Sequence, residues 1–211
     1  MTIFSRKNPV VSALALAGAL WAATAIPGTA QEVVGTAVIA GETVTLYSDR
    51  TWAYSDAKAA SCTPLAKGLN FCGLSRDWVR SSVTPTGITA QFSRDASQWA
   101  QTVVEEIGAD QGVTLALLRQ AALGYAAQAA GTTPAGVPIL FEEKTDVDGH
   151  DASTLAYFVD LNGTPIVMAN TMVILPKRAL QFQTYVIGAR EMSDQHRAFH
   201  AEFLDVLDIA E

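Results

Sequence analysis

From residue 31 onward the apolar positions mostly fall at every second residue, and Gly, Pro, Asn and Asp divide the chain into short runs. Such alternation predicts half-buried strands. Val38 and Ile39 face Val44 and Leu46 across Ala40-Gly41-Glu42, and Ser48-Asp49-Arg50 turns the chain into Thr51-Trp52-Ala53-Tyr54. Residues 78–83 and 88–92 read as a hairpin around Pro85-Thr86-Gly87. Residues 137–144, 153–161, 164–175 and 179–188 read as an antiparallel meander. Its turns are the polar stretch 146–151, the two-residue hairpin signal Asn162-Gly163, and Pro176-Lys177-Arg178. In the last run Leu180, Phe182, Thr184 and Val186 alternate with Gln181, Gln183, Tyr185 and Ile187, as in a strand with one more buried face.

Three segments carry helical spacing instead. Asp95 with Gln98 three residues on resembles a capping box, and Trp99, Val103 and Ile107 follow one turn apart. Residues 114–130 form a second expected helix, apolar on most sides (Leu115, Leu117, Leu118, Ala121, Leu123, Ala126). Ser193-Asp194 caps a closing helix with the stripe Phe199, Phe203, Leu204 and Leu207. The expected order is hairpin, helix pair, meander, closing helix. That predicts an α+β fold, an antiparallel sheet flanked by helices over residues 61–211, with a small β-hairpin appendage over residues 31–60.

The first thirty residues break this pattern. Arg6 and Lys7 precede an uncharged apolar stretch over residues 10–26, and Pro27-Gly28-Thr29-Ala30 supplies a helix break and small residues. This is the layout of a signal peptide cleaved after Ala30, and it predicts a periplasmic or secreted protein. The stretch is shorter than the ~20 residues a spanning helix needs, so no stable membrane insertion is expected after cleavage.

Composition sharpens that expectation. The chain has a net charge of −7, and the exported part is more negative still, because Arg6 and Lys7 leave with the leader and no acid does. Nucleic acid, whose binding rests on neutralised phosphates, is therefore not an expected partner. The two cysteines, Cys62 and Cys72, both lie in the exported part. In an oxidising compartment such a pair reads as a structural disulfide.

Two resemblances add to this reading. Val44-Thr45-Leu46 through Trp52 and Tyr54 resembles a V-x-L-x-x-D-G-T-W-x-Y hairpin of bacterial exported proteins, with Arg50 where that pattern has glycine. Over residues 78–207 the order of elements resembles the α/β/α sandwich of PsbP-type photosystem proteins and DcrB-type envelope proteins. The matching residues are the Trp78 strand, the helix expected around Trp99, Ala169-Asn170-Thr171, the strand ending in Thr184-Tyr185, and Phe203-Leu204 in the last helix. Those families are mostly accessory or binding proteins without a common active site. The resemblance therefore implies a non-enzymatic role and carries over no catalytic residue and no cofactor.

Candidate chemistry is sparse. His196 and His200 lie four apart on the closing helix, so their rings emerge on one face. They could bind zinc or copper with Glu202 or His150 as a further ligand, or they could be two exposed histidines on a solvated face. Asp146, Asp148 and Asp151 offer oxygen ligands, but Gly149 comes too early for an EF-hand, and an acidic hairpin turn is expected. Glu142 and Glu143 are adjacent on a strand and so point to opposite faces. Trp52 could be a ligand platform or simply cover a sheet. There is no Gly-x-Ser-x-Gly elbow and no phosphate-cradling glycine loop. The expectation is an exported, soluble accessory protein that binds an envelope protein or other envelope component. The alternatives are a small-ligand or metal carrier using the His196/His200 face or a groove between sheet and helices, and then a hydrolase.

Overall fold

The computed structural model describes residues 32–39, 42–54 and 62–210. The expected leader and the turn at Ala40-Gly41 lie outside them. Among the described residues the strands form three sheets, all with antiparallel pairing. The first is β1 (Val33–Ile39), β2 (Glu42–Tyr47) and β3 (Trp52–Tyr54), hydrogen-bonded in that order and separate from the main sheet. Arg50, in the turn before β3, has φ 68. It keeps the left-handed conformation that the glycine of the resembling hairpin would adopt without strain.

A second small sheet joins both ends of the main domain. It consists of β4 (Thr63–Ala66), β5 (Leu69–Phe71) and the last strand, β13 (Leu207–Ile209), with β5 in the middle. Cys62 and Cys72 are disulfide-bonded and brace the β4–β5 hairpin, their Cα atoms 4.2 Å apart.

The main sheet has seven strands: β6 (Val79–Arg80), β7 (Ala90–Ser93), β8 (Gln98–Glu105), β9 (Ile139–Val147), β10 (His150–Leu161), β11 (Thr164–Ile174) and β12 (Ala179–Ile187). Their order is β6-β7-β8-β12-β11-β10-β9, so the meander β9 to β12 comes back to pair with β8. The expected hairpin, meander and turns are present.

The segment read as the first of two helices is instead β8. Asp95 Oδ1 does accept the N–H groups of Ser97 (2.7 Å) and Gln98 (2.8 Å), as a cap would, and these bonds hold its carboxyl below the ordinary carboxylate range. The chain leaves that turn extended, however. Gln98, Ala100 and Thr102 are buried on one face while Trp99 and Gln101 lie on the other. Sheet pairing on both sides, with β7 and β12, overrides the local helical spacing.

Two helices cover opposite faces. Helix α1 (Leu115–Ala130) begins at Thr114, whose side chain accepts the Leu117 N–H, and ends at Gly131 with φ 65. It lies over β10 and β11, burying Leu118, Leu123 and Ala126 among Leu155, Tyr157, Val159 and Met172. Helix α2 (Asp194–Asp205) begins at Ser193, which accepts the His196 N–H, and lies over β12 on the other face. There Phe199 and Phe203 meet Phe71, Trp78, Phe92 and Phe182. The rings of Phe71 and Phe92 stack at 4.1 Å, and the Arg94 guanidinium covers Trp78 at 4.6 Å while pairing with Glu202. The expected sandwich is thus present, with one helix on each face.

Candidate functional site

Because α1 sits over β10 and β11, it leaves β12, β8 and β7 without a helix on the same face. Alternation on β12 points Gln181, Gln183 and Tyr185 to that face and Leu180, Phe182 and Thr184 to the α2 side. The antiparallel register then lines up four amide side chains. Asn170 on β11 is opposite Gln183, Gln183 is opposite Gln101 on β8, and Gln101 is opposite Gln91 on β7. Gln101 Nε2 donates to Gln183 Oε1, and Asn170 Nδ2 donates to Gln181 Oε1 at 2.8 Å. One row along, Tyr185 is opposite Trp99 with the rings stacked at 6.3 Å, and its hydroxyl accepts from Gln91 Nε2 at 2.9 Å.

The row keeps unused hydrogen-bonding capacity. Gln101 Oε1 and Gln181 Nε2 hold no bond to a described residue. Asn170 is wholly buried, yet its Oδ1 has no partner among the described residues. A buried, unpaired acceptor costs roughly 1–3 kcal/mol, and Asn170 bears that cost inside the sheet, outside the groove lined by the glutamines of β8 and β12.

Gln101, Gln181 and Gln183 form part of the floor of a groove of about 380 Å³. Tyr125, Ala126 and Ala129 of α1 make one wall, Thr86-Gly87-Ile88 makes the other, and Val159, Ile166 and Met168 complete the apolar lining. Tyr125 is 74% exposed. Burial pushes the Tyr157 hydroxyl up to about 12 and also raises Tyr185, the latter against the opposing effect of its bond from Gln91. Both phenols therefore stay neutral. Glu105 is the only charged residue among the described ones that line the groove. Chemically, the site offers neutral donors and acceptors beside apolar surface.

The sequence-derived candidates lie elsewhere. His196 and His200 do come together on α2, but they are buried, not on a solvated face. Thr184 Oγ1 lies 3.1 Å from His196 Nε2 and 2.8 Å from His200 Nδ1, while Thr171 Oγ1 lies 2.7 Å from His200 Nε2 and 2.6 Å from Thr154 Oγ1. Both nitrogens of His200 are thus committed, and of the two rings' nitrogens His196 Nδ1 alone has no partner among the described residues. Burial depresses both rings, His196 to about 4 and His200 to about 3, the latter also disfavoured by a charge on His196. A metal held by both rings would have to break threonine bonds. Glu202 pairs with Arg94, and among the described residues no three His, Cys, Asp or Glu side chains gather at one point.

The acidic hairpin turn is as expected. Asp146 accepts the Gly149 N–H at 3.0 Å, and Asp148 accepts the Ile209 N–H. Glu142 pairs with Arg119 of α1, and Trp52 is half exposed on β3.

The amide row escaped the sequence reading. Half of its signal was visible, since Gln181, Gln183 and Tyr185 alternate along one strand. Local spacing places Gln101 on a helix, which hides its position opposite Gln183.

No protein-family model matches the sequence, and no curated protein matches it. Solved structures do match. The solution structure of cyanobacterial PsbP (CyanoP) from Synechocystis sp. PCC 6803 is 16% identical, over 74% of this chain and 90% of that one, with a TM-score of 0.51. A point mutant of Mog1 is 11% identical, over 72% of this chain and 96% of that one, with a TM-score of 0.52. LpqN of Mycobacterium tuberculosis, described as involved in cell envelope biogenesis, is 14% identical over 74% of this chain and 88% of that one, with a TM-score of 0.46. The chain therefore shares the fold of PsbP and Mog1. At these identities the likeness is one of fold alone.

Proposed function

We propose that this protein is an exported accessory protein that binds a component of the bacterial envelope in the groove beside α1. The observation that carries this reading is the set of amides Gln101, Gln181 and Gln183 on the floor of an apolar-walled groove, where Gln101 Oε1 and Gln181 Nε2 are left to pair with a ligand. An amide neither gives nor takes a proton near neutral pH, so these groups suit recognition. Export is supported by the leader-like residues 1–30 and by the Cys62–Cys72 disulfide, a bond that persists in oxidising compartments.

The test uses the full chain with a C-terminal tag, expressed in a bacterium and fractionated. The expected result is a species outside the cytoplasm that lacks Trp21 by mass spectrometry and resists thiol labelling without reductant. A reduced, uncleaved cytoplasmic protein would overturn the export reading. For the groove, envelope extract is passed over the wild type and over Ala129→Trp, whose indole would fill the groove from an exposed helical position. A component retained equally by both would show that the groove is not the binding site.

A further inference from the structure

Taken as a binding site, the groove also limits the chemistry of its ligand. No Lys, Arg or His lines it among the described residues, and Glu105 at its edge repels anions. Phosphorylated or acidic ligands would find no counter-charge there. The remaining polar groups are uncharged, and each side-chain amide presents a donor and an acceptor side by side. Such a group can pair with two neighbouring hydroxyls at once.

Aromatic surface lies close to the amides. The Tyr125 ring stands exposed on the α1 wall, and the stacked Tyr185–Trp99 pair lies one row from Gln183 and Gln101. Rings of this kind offer a flat apolar face beside a polar edge. A sugar ring has the matching pair of features, hydroxyls around its rim and C–H groups on its faces. We propose that the groove binds a neutral saccharide, with its hydroxyls on Gln101, Gln181 and Gln183 and a ring face against Tyr125.

An extended peptide fits less well. Peptides that dock on sheets pair through main-chain groups at an exposed edge. The floor of this groove is the face of β8 and β12, and each of these strands is already paired on both sides. The floor is therefore left with side chains alone to recognise a ligand, which favours one rich in hydroxyls.

The inference rests on the groove reading, and one experiment separates the two. The purified full chain is applied to an array of neutral and acidic oligosaccharides together with unmodified peptides, alongside Ala129→Trp, Tyr125→Ala and the pair Gln101→Leu/Gln183→Leu. Tyr125→Ala changes an exposed residue, so it tests the site even if the double variant is unstable. The expected result is retention on neutral saccharides, abolished by Ala129→Trp and weakened roughly tenfold by either of the others. Peptide retention that is sensitive to Ala129→Trp, without saccharide retention, would overturn the saccharide and leave the groove standing. Saccharide retention unchanged by Ala129→Trp, or no retention at all, would overturn the inference together with its site.

Discussion

The carboxylate of Asp148 accepts the backbone N–H of Ile209 at 2.7 Å, joining the β9–β10 turn to the last strand. This bond gives the acidic turn a structural role, because β13 in turn pairs with β5 and closes the small sheet. Asp148 holds φ 51, which Asp and Asn tolerate better than most residues. Asp148→Asn should therefore keep the turn and lose only the charge on the acceptor, at about 1 kcal/mol, while Asp148→Ala should cost about 2–3 kcal/mol by losing the acceptor and adding strain. Urea unfolding measures both. Amide exchange should show the loss of protection first at Ile209.

The turn before β3 should be improvable. Arg50 N–H donates to the Tyr47 carbonyl at 3.1 Å and Asp49 Oδ1 accepts the Thr51 N–H at 2.9 Å, so the left-handed φ is held from both sides. A residue with a Cβ pays about 1–2 kcal/mol there, and glycine loses roughly 0.5–1 kcal/mol of that gain to the freedom of the unfolded chain. Arg50→Gly should thus raise amide protection at Tyr47 and Thr51 by up to about 1 kcal/mol. Arg50→Ala keeps the strain and should leave protection unchanged.

These two turns are legible in the sequence because their chemistry is local, as are the Asn162-Gly163 hairpin and the cap at Ser193. The failure at β8 has a physical origin. Asp95 makes the hydrogen bonds that a helix cap makes, and Trp99, Val103 and Ile107 keep helical spacing. What decides the matter is β7 on one side and β12 on the other, which no local window contains. The alternation of β8 also fails toward its end, where buried Thr102 stands beside buried Val103. The amide row needed three registers at once, and the burial of His196 and His200 needed Thr171 and Thr184 from two other strands.

The disulfide should matter most to the small sheet. Its cysteines are separated by 10 positions, and closing so short a loop stabilises by roughly 2–3 kcal/mol through chain entropy. The Cys72 N–H also donates to the Val206 carbonyl at 2.7 Å, so the bridge lies beside the strand that closes the fold. Cys62→Ser/Cys72→Ser should lower the midpoint of thermal unfolding by several degrees. Reductant should lower the wild type to the same value and leave the variant unmoved.

Burial of the neutral rings of His196 and His200, which share the hydroxyl of Thr184, makes the protein sensitive to acid. In the unfolded chain both histidines titrate near 6.5, while in the fold His196 is depressed to about 4 and His200 to about 3. The unfolded state therefore binds more protons than the native state as the pH falls below about 6.5, and stability falls with it. The contribution is fully present above that pH and is lost progressively down to the folded values, at roughly 1.4 kcal/mol per pKa unit for each ring. Urea unfolding at intervals from pH 7.5 to 4.5 should show a continuous decline. Most of it lies above the range where the hydrogen-bonded carboxylate of Asp95 begins to protonate. His196→Gln should make the decline shallower. Imidazole carbon shifts of His196 and His200 that stay flat down to pH 5 in the folded protein would bear the argument out, and either of these two rings titrating near 6.5 would sink it.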